Sequence, residues 1–167
     1  MSNKPILVIG GGPAGLEATR GIADLGYHAI LVDKSDVLGG NPISAHYAAL
    51  TPDMRSAEEA MGEMVDAITD NPLVDIRLNT PGAELILDYK GRIAGVRADS
   101  KDGPCFIEAG AVVLAAGDYS ANRAMVERVA PNLKLAIPLR DFATGDGHRM
   151  AMRIGAKTQN MARINLP

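Results

Sequence analysis

The sequence contains no tryptophan, one cysteine, three histidines and only six aromatic residues, four Tyr and two Phe. A single cysteine excludes a disulfide framework, a Cys-x-x-Cys redox pair and a cysteine-built zinc site. The three histidines show no metal-ligand spacing, so no metal centre is expected. Scarce aromatics, with 17 Lys and Arg against 20 Asp and Glu, make the chain a poor stacking and electrostatic partner for nucleic acid. No apolar run approaches the roughly 18–20 residues of a membrane span. The early run from Ile6 to Ile9 is too short for a signal-peptide core. The expected setting is therefore cytoplasmic, with a small molecule as the substrate. What remains is 167 residues, 47% apolar and 22% charged, enough for one domain with a proper core and too apolar for disorder.

Glycine and proline punctuate the chain into periodic segments. Ile6-Leu7-Val8-Ile9 reads as a strand buried on both faces, and Gly15 to Leu25 as a helix closed by Gly26. Ala29 to Val32 reads as a second buried strand ending at Asp33. Such a βαβ unit places its two strands parallel and adjacent. Lys34 to Pro52 lacks a period and is expected to be irregular. Ala57, Ala60, Met61, Met64, Val65 and Ile68 form a helical stripe, with Ser56 and Glu59 as a capping box and Asn71-Pro72 as its end. Val74, Ile76 and Leu78 alternate as a third strand. The segments 83–89, 92–98 and 105–108, separated by Lys90-Gly91 and Lys101-Asp102-Gly103, predict an antiparallel meander over about 83–108. A further apolar strand is predicted over 111–116, then helices over 122–129 and 147–155. The expected fold class is α/β, a Rossmann-like parallel sheet with helices and an antiparallel β-meander, within a single domain over 1–167.

Gly10-Gly11-Gly12-Pro13-Ala14-Gly15 satisfies G-x-G-x-x-G between a buried strand and a helix, the context in which this string binds a dinucleotide. Gly10 serves the tight turn, Gly12 lets a pyrophosphate approach the backbone, and Gly15 lets the helix pack closely on the strand. The amides and positive dipole end of the helix favour the phosphates. Asp33 lies 18 residues beyond Gly15, where an acid accepts hydrogen bonds from the ribose hydroxyls. Its charge disfavours the 2′-phosphate of NADP, an exclusion the adjacent Lys34 weakens. FAD and NAD both satisfy these residues.

The meander between parallel strands is the first clue to the choice. With it, the chain resembles the flavoproteins of the fumarate reductase, succinate dehydrogenase and ketosteroid dehydrogenase family. The likeness is carried by Ile6–Gly15 with Asp33-Lys34, by Leu38-Gly39-Gly40-Asn41, and by 79–86 with 91–96. It continues through Ala111 to Gly117 with Ser120-Ala121-Asn122, and through Thr144-Gly145-Asp146-Gly147 with Met150-Ala151 and Gly155-Ala156. The resemblance implies a FAD cofactor, with NAD as the alternative, and hydride transfer between flavin and a C–C bond of an organic acid or ketosteroid-like substrate. It implies cofactor contacts from Gly10, Gly12, Pro13, Ala14, Gly15, Asp33 and Lys34. It adds Gly39, Gly40, Asn41 and Ser44 on the flavin side, Gly82 with Ala116 and Gly117 near adenine and ribose, and Asp146 near the ribityl phosphate.

The chain departs from the family where Ala116 replaces Thr, where Asp118 replaces a second Gly, and where 42–46 lacks the usual following glycine pair. Family members continue past the point corresponding to Pro167 into a substrate-capping domain and a closing strand, and the cap carries their catalytic Arg and His residues. The catalytic residues are accordingly unknown from this sequence. The expectation is a second polypeptide supplying cap and closing strand, or a homodimer. The alternative is a non-catalytic dinucleotide-binding or electron-transfer subunit completed by a partner chain. His46 is expected to be a loop histidine with a local hydrogen bond, His148 an exposed structural residue, and Cys105 a small packing residue. The arginines of the last third are expected to be solvated.

Overall fold

The computed structural model describes residues 4–50, 52, 54–138 and 141–163. They fall into two compact units, one up to Ala115 and one from Ala116 onward.

The first unit opens with β1 (Ile6–Ile9), α1 (Pro13–Asp24) and β2 (Ala29–Val32). The helix begins two residues before the position predicted from sequence. Pro13 sits in its first turn, where the fixed φ suits a helix and the missing N–H is no loss. Within the stretch expected to be irregular lies a one-turn helix, α2 (Asn41–Ser44), followed by α3 (Ala57–Thr69). Ser56 caps α3 by accepting the Glu59 amide, and Glu58 and Glu59 occupy its first turn. β3 (Val74–Arg77) stops short of Leu78. The meander follows as β4 (Gly82–Leu87), β5 (Ile93–Ser100) and β6 (Gly103–Glu108), antiparallel in the order β4-β5-β6. β7 (Ala111–Leu114) ends two residues earlier than predicted.

β1, β2, β3 and β7 form one parallel sheet in the order β3-β2-β1-β7. The fold class expected from sequence is therefore the one observed. β1 and β2 are central, which is why Leu7, Val8, Leu31 and Val32 are fully buried. β7 pairs only with β1 among the described strands and is half-exposed along its length. Val8 and Leu31 pack with Leu16 of α1 and with Met61 and Ile68 of α3, so both helices lie on one face of the sheet. Thr19, the one fully buried polar residue of α1, is satisfied by donating to the Gly15 carbonyl at 2.8 Å. Ile9 meets Gly82 at the start of β4. From β1 the chain proceeds to one side through β2 and β3, and β7 adds on the other. That reversal makes the C-terminal end of β1 a topological switch point, where open α/β sheets bind ligands.

The second unit contains α4 (Arg123–Val129), a 3-10 turn (Pro131–Leu133) and α5 (Asp146–Arg153). Its core is Tyr119, Met125 and Val126, with Val129, Leu133, Met152 and Met161 packed around them. Asn122 joins its parts. The side chain caps α4 by accepting the Met125 amide at 3.1 Å and donates through Nδ2 to the Thr144 carbonyl at 2.8 Å. No helix among the described residues is long and apolar enough to cross a membrane.

Candidate nucleotide-binding site

The loop between β1 and α1 lies at the switch point. Gly10 leaves β1 with φ +108°, and its amide still donates to the Val32 carbonyl at 2.9 Å. A Cβ at Gly15 would stand 1.7 Å from the Gly10 carbonyl oxygen and 3.4 Å from Ala115, so the first turn of α1 rests directly on the end of β1. Gly12 differs. Its backbone is extended, and the nearest atom to a Cβ built there is the Gly40 Cα at 3.8 Å. The helix start it precedes has no side-chain cap and no acidic residue in its first turn. α3 satisfies its own start with Ser56, Glu58 and Glu59. The first amides of α1 have no such groups. Pro13 and Ala14 are exposed on the lip, while Gly11 and Gly15 are buried beneath it.

A second glycine turn interlocks with the first. The Gly39 amide donates to the Gly11 carbonyl at 2.8 Å. Gly40 takes φ +58°, and a Cβ on it would stand 2.7 Å from the Gly12 Cα. The two backbones thus touch at a point where neither tolerates a side chain on Gly40. Asn41 opens α2 on the exposed side, and Ser44 closes that turn by donating from its hydroxyl to the Gly40 carbonyl at 3.0 Å. Four residues carry no helical period, and α2 was therefore not visible in the sequence.

Asp33 ties the loops together. One carboxylate oxygen accepts the Gly11 amide at 2.5 Å and the other accepts the Ser35 amide at 2.7 Å. The backbone of the same segment receives the chain end beyond β3: the Thr80 amide donates to the Asp33 carbonyl at 2.7 Å, and the Asn79 amide to the Ser35 carbonyl at 2.9 Å. Asp33 is half-buried and Lys34 exposed. Gly10, Gly12, Pro13, Ala14, Gly15, Asp33, Lys34, Gly39, Gly40, Asn41 and Ser44 thus belong to one set of interlocked loops. Gly82 stands close by, its missing side chain filled by Ile9 at 3.1 Å.

Sequence reasoning overlooked Gly11. A Cβ there would meet Leu38 at 2.4 Å and the Asp33 carboxylate at 3.1 Å. The signal was present as a third consecutive glycine, which the G-x-G-x-x-G pattern treats as a free position.

Ala116, Gly117 and Asp146 lie in the second unit. Gly117 has φ +75° with open space around it. Asp146 opens α5, accepts the Thr144 hydroxyl at 2.6 Å and pairs with Arg149. Gly145 before it is left-handed and wedged against Met125 and Tyr119. His148, expected to be exposed, is half-buried, with its ring edge-on to Tyr119 at 5.0 Å and a buried, unpartnered Nδ1. Tyr119 donates its hydroxyl to the Met161 carbonyl. Burial, with a smaller contribution from Asp118, pushes the phenol above its ordinary pKa.

The geometry has clear counterparts. A family model described as FAD binding domain matches residues 43–166, and one described as FAD dependent oxidoreductase matches 5–73. Fumarate reductase (cytochrome) of Shewanella frigidimarina is 32% identical over 106 residues, covering 60% of this chain and 19% of that protein. Cinnamate reductase of Clostridium sporogenes is 32% identical over 81 residues, 48% of this chain and 12% of the relative. The chain spans less than a fifth of the length of these curated relatives. Among solved structures, the open conformation of a flavocytochrome c3 fumarate reductase shares the fold with a TM-score of 0.80 at 23% identity, over 92% of this chain and 41% of that one.

Proposed function

We propose that this chain, which belongs to the FAD binding domain family, holds the diphosphate of FAD on the uncapped amides at the start of α1 and the adenosine ribose at Asp33. One observation carries this reading: at Gly12, a backbone bare of any side chain coincides with a helix start that no side chain caps. Two phosphates placed there receive backbone N–H groups and the positive end of the α1 dipole. Gly10 and Gly15 shape the turn, and Pro13 and Ala14 form its outer lip. Gly40 and Asn41 extend the same surface toward the flavin side. Asp33 retains acceptor capacity beyond its two backbone bonds, because an ionised carboxylate has about four lone-pair sites.

Bound FAD supplies hydride transfer. The residues described here bind and orient it; proton donation to the substrate falls to groups outside them. We assign the chemistry this domain serves to reduction of an unsaturated carboxylic acid. Fumarate and cinnamate, the compounds in the relatives' names, are both of that class, which favours an organic acid over a ketosteroid.

Replacement of Gly12 by Ala tests the cofactor site. The added methyl meets only the Gly40 Cα at ordinary contact distance, so the urea midpoint of the cofactor-free protein is expected to stay unchanged. FAD titration followed by flavin absorbance is expected to show affinity falling at least about tenfold, and further for Gly12→Val. Wild-type affinity in the Gly12→Val protein would remove the diphosphate from this loop. Turnover of fumarate with a reduced artificial electron carrier tests the substrate class.

A further inference from the structure

The two units are charged oppositely. The sequence carries sixteen acids and nine bases up to Ala115, against four acids and eight bases from Ala116 onward. Every arginine of the first unit, from Arg20 to Arg97, is ion-paired. Among the described residues of the second unit, only Arg149 has a carboxylate partner. Arg123, Arg128, Lys134, Arg153, Lys157 and Arg163 have none. Free cations on a surface are ordinary taken singly, but here two of them frame apolar surface. Arg123 and Lys134, joined by a bond from the Arg123 guanidinium to the Lys134 carbonyl at 3.4 Å, border a shallow groove with Val126, Leu133 and Pro138 along its walls. Beside it Leu135 is 82% exposed and Ile137 78% exposed. They stand two positions apart, while Leu133 and Ala136 are half-buried.

We propose that the 120–138 face of the second unit docks a segment of a different polypeptide that presents carboxylates around apolar side chains. Covering Leu135 and Ile137 removes apolar surface from water. Carboxylates set against Arg123 and Lys134 fix register and speed encounter. A second copy of this chain is the poorer complement, because at least nine acids among the first unit's described residues are already engaged by its own bases.

The test uses the full chain and a labelled peptide of about twelve residues built from Glu and Leu, read by fluorescence anisotropy. Saturable binding that weakens with salt is expected, with no binding of a Lys and Leu peptide or a Glu and Ser peptide. The double variants Arg123→Glu with Lys134→Glu, and Leu135→Ser with Ile137→Ser, are each expected to weaken binding about tenfold or more at unchanged melting temperature, and Arg123→Lys to retain it. No binding of the Glu and Leu peptide, equal binding of the Lys and Leu peptide, or undiminished binding by both double variants overturns the proposal. So does a concentration-dependent dimer in sedimentation that the same substitutions disperse, which makes the occupant a second copy.

Discussion

The carboxylate of Asp33 holds the amide of Gly11 at 2.5 Å across 22 residues of sequence, so the acid assigned to ribose is also a strut of the phosphate loop. Its removal therefore acts before any cofactor arrives. Asp33→Ala leaves the buried Gly11 N–H without an acceptor, expected to cost about 1–3 kcal/mol of stability in the cofactor-free protein. Asp33→Asn keeps an acceptor and is expected to cost less. FAD affinity is expected to fall in both variants, because neither offers the sugar a charged acceptor. Urea unfolding without FAD, beside FAD titration of each variant, separates the two contributions. Equal stability of wild type and Asp33→Ala would show that the strut carries no load.

Two glycines of α1 make opposite predictions. At Gly15 a Cβ collides with the Gly10 carbonyl oxygen at 1.7 Å, whereas at Gly21 it meets nothing within 4 Å. Gly15→Ala must part helix from strand and is expected to destabilise by about 1–3 kcal/mol or more. Gly21→Ala only removes backbone freedom from a helix interior and is expected to stabilise by roughly 0.5–1 kcal/mol. Thermal melts of the two variants decide it, and a shift of the same sign in both would contradict the geometry.

The parts legible in the sequence were those governed by local period and local backbone. Ile6–Ile9 and Ala29–Val32 are short apolar runs closed by turns, and α3 carries a full stripe with its cap; each was placed correctly to within a residue. Legibility failed where a contact arrives from elsewhere. An apolar run such as 111–114 reads alike in the centre of a sheet or at its edge, and only the strand order shows β7 half-exposed. His148 stands in the first turn of α5, where a cation opposes the helix dipole, and only the tertiary structure shows the Tyr119 ring packed edge-on against it. Gly11 matters because Leu38 and Asp33 close over it, and no pattern in the loop records that.

His46 adopts φ +52° immediately after α2. Its amide donates to the Ile43 carbonyl at 3.0 Å and the Tyr47 amide to the Pro42 carbonyl at 3.0 Å. That pair of bonds is the Schellman closure, whose left-handed residue is usually Gly. A left-handed non-glycine residue costs roughly 1–2 kcal/mol, partly offset by the greater unfolded-state freedom of Gly. His46→Gly is expected to stabilise by about 0.5–1 kcal/mol and His46→Val to destabilise. Urea midpoints check both; a destabilised His46→Gly would mean that the imidazole makes a contact worth more than the strain.

The turn between β4 and β5 depends on one ionised group. Asp88 accepts the Lys90 amide at 2.8 Å and the Arg92 amide at 2.9 Å, and its carboxylate also pairs with the Arg92 guanidinium at 2.9 Å. The Arg92 amide, followed by its side chain, the Lys90 amide and the Arg92 charge, holds the carboxyl below its ordinary pKa against the opposing effect of desolvation. A depressed carboxyl binds its proton more weakly folded than unfolded. Its contribution to stability is therefore complete above the unfolded value, near ~3.9, and disappears as pH falls through the folded one. Asp88→Asn keeps an acceptor but no charge, so its melting temperature is expected to lie below wild type at neutral pH. The gap should hold down to about pH 5 and close at lower pH, where the wild-type carboxyl itself becomes neutral. Melting both proteins across that range tests the sign, and a gap that widened in acid would show the Asp88 charge to be a burden on the turn.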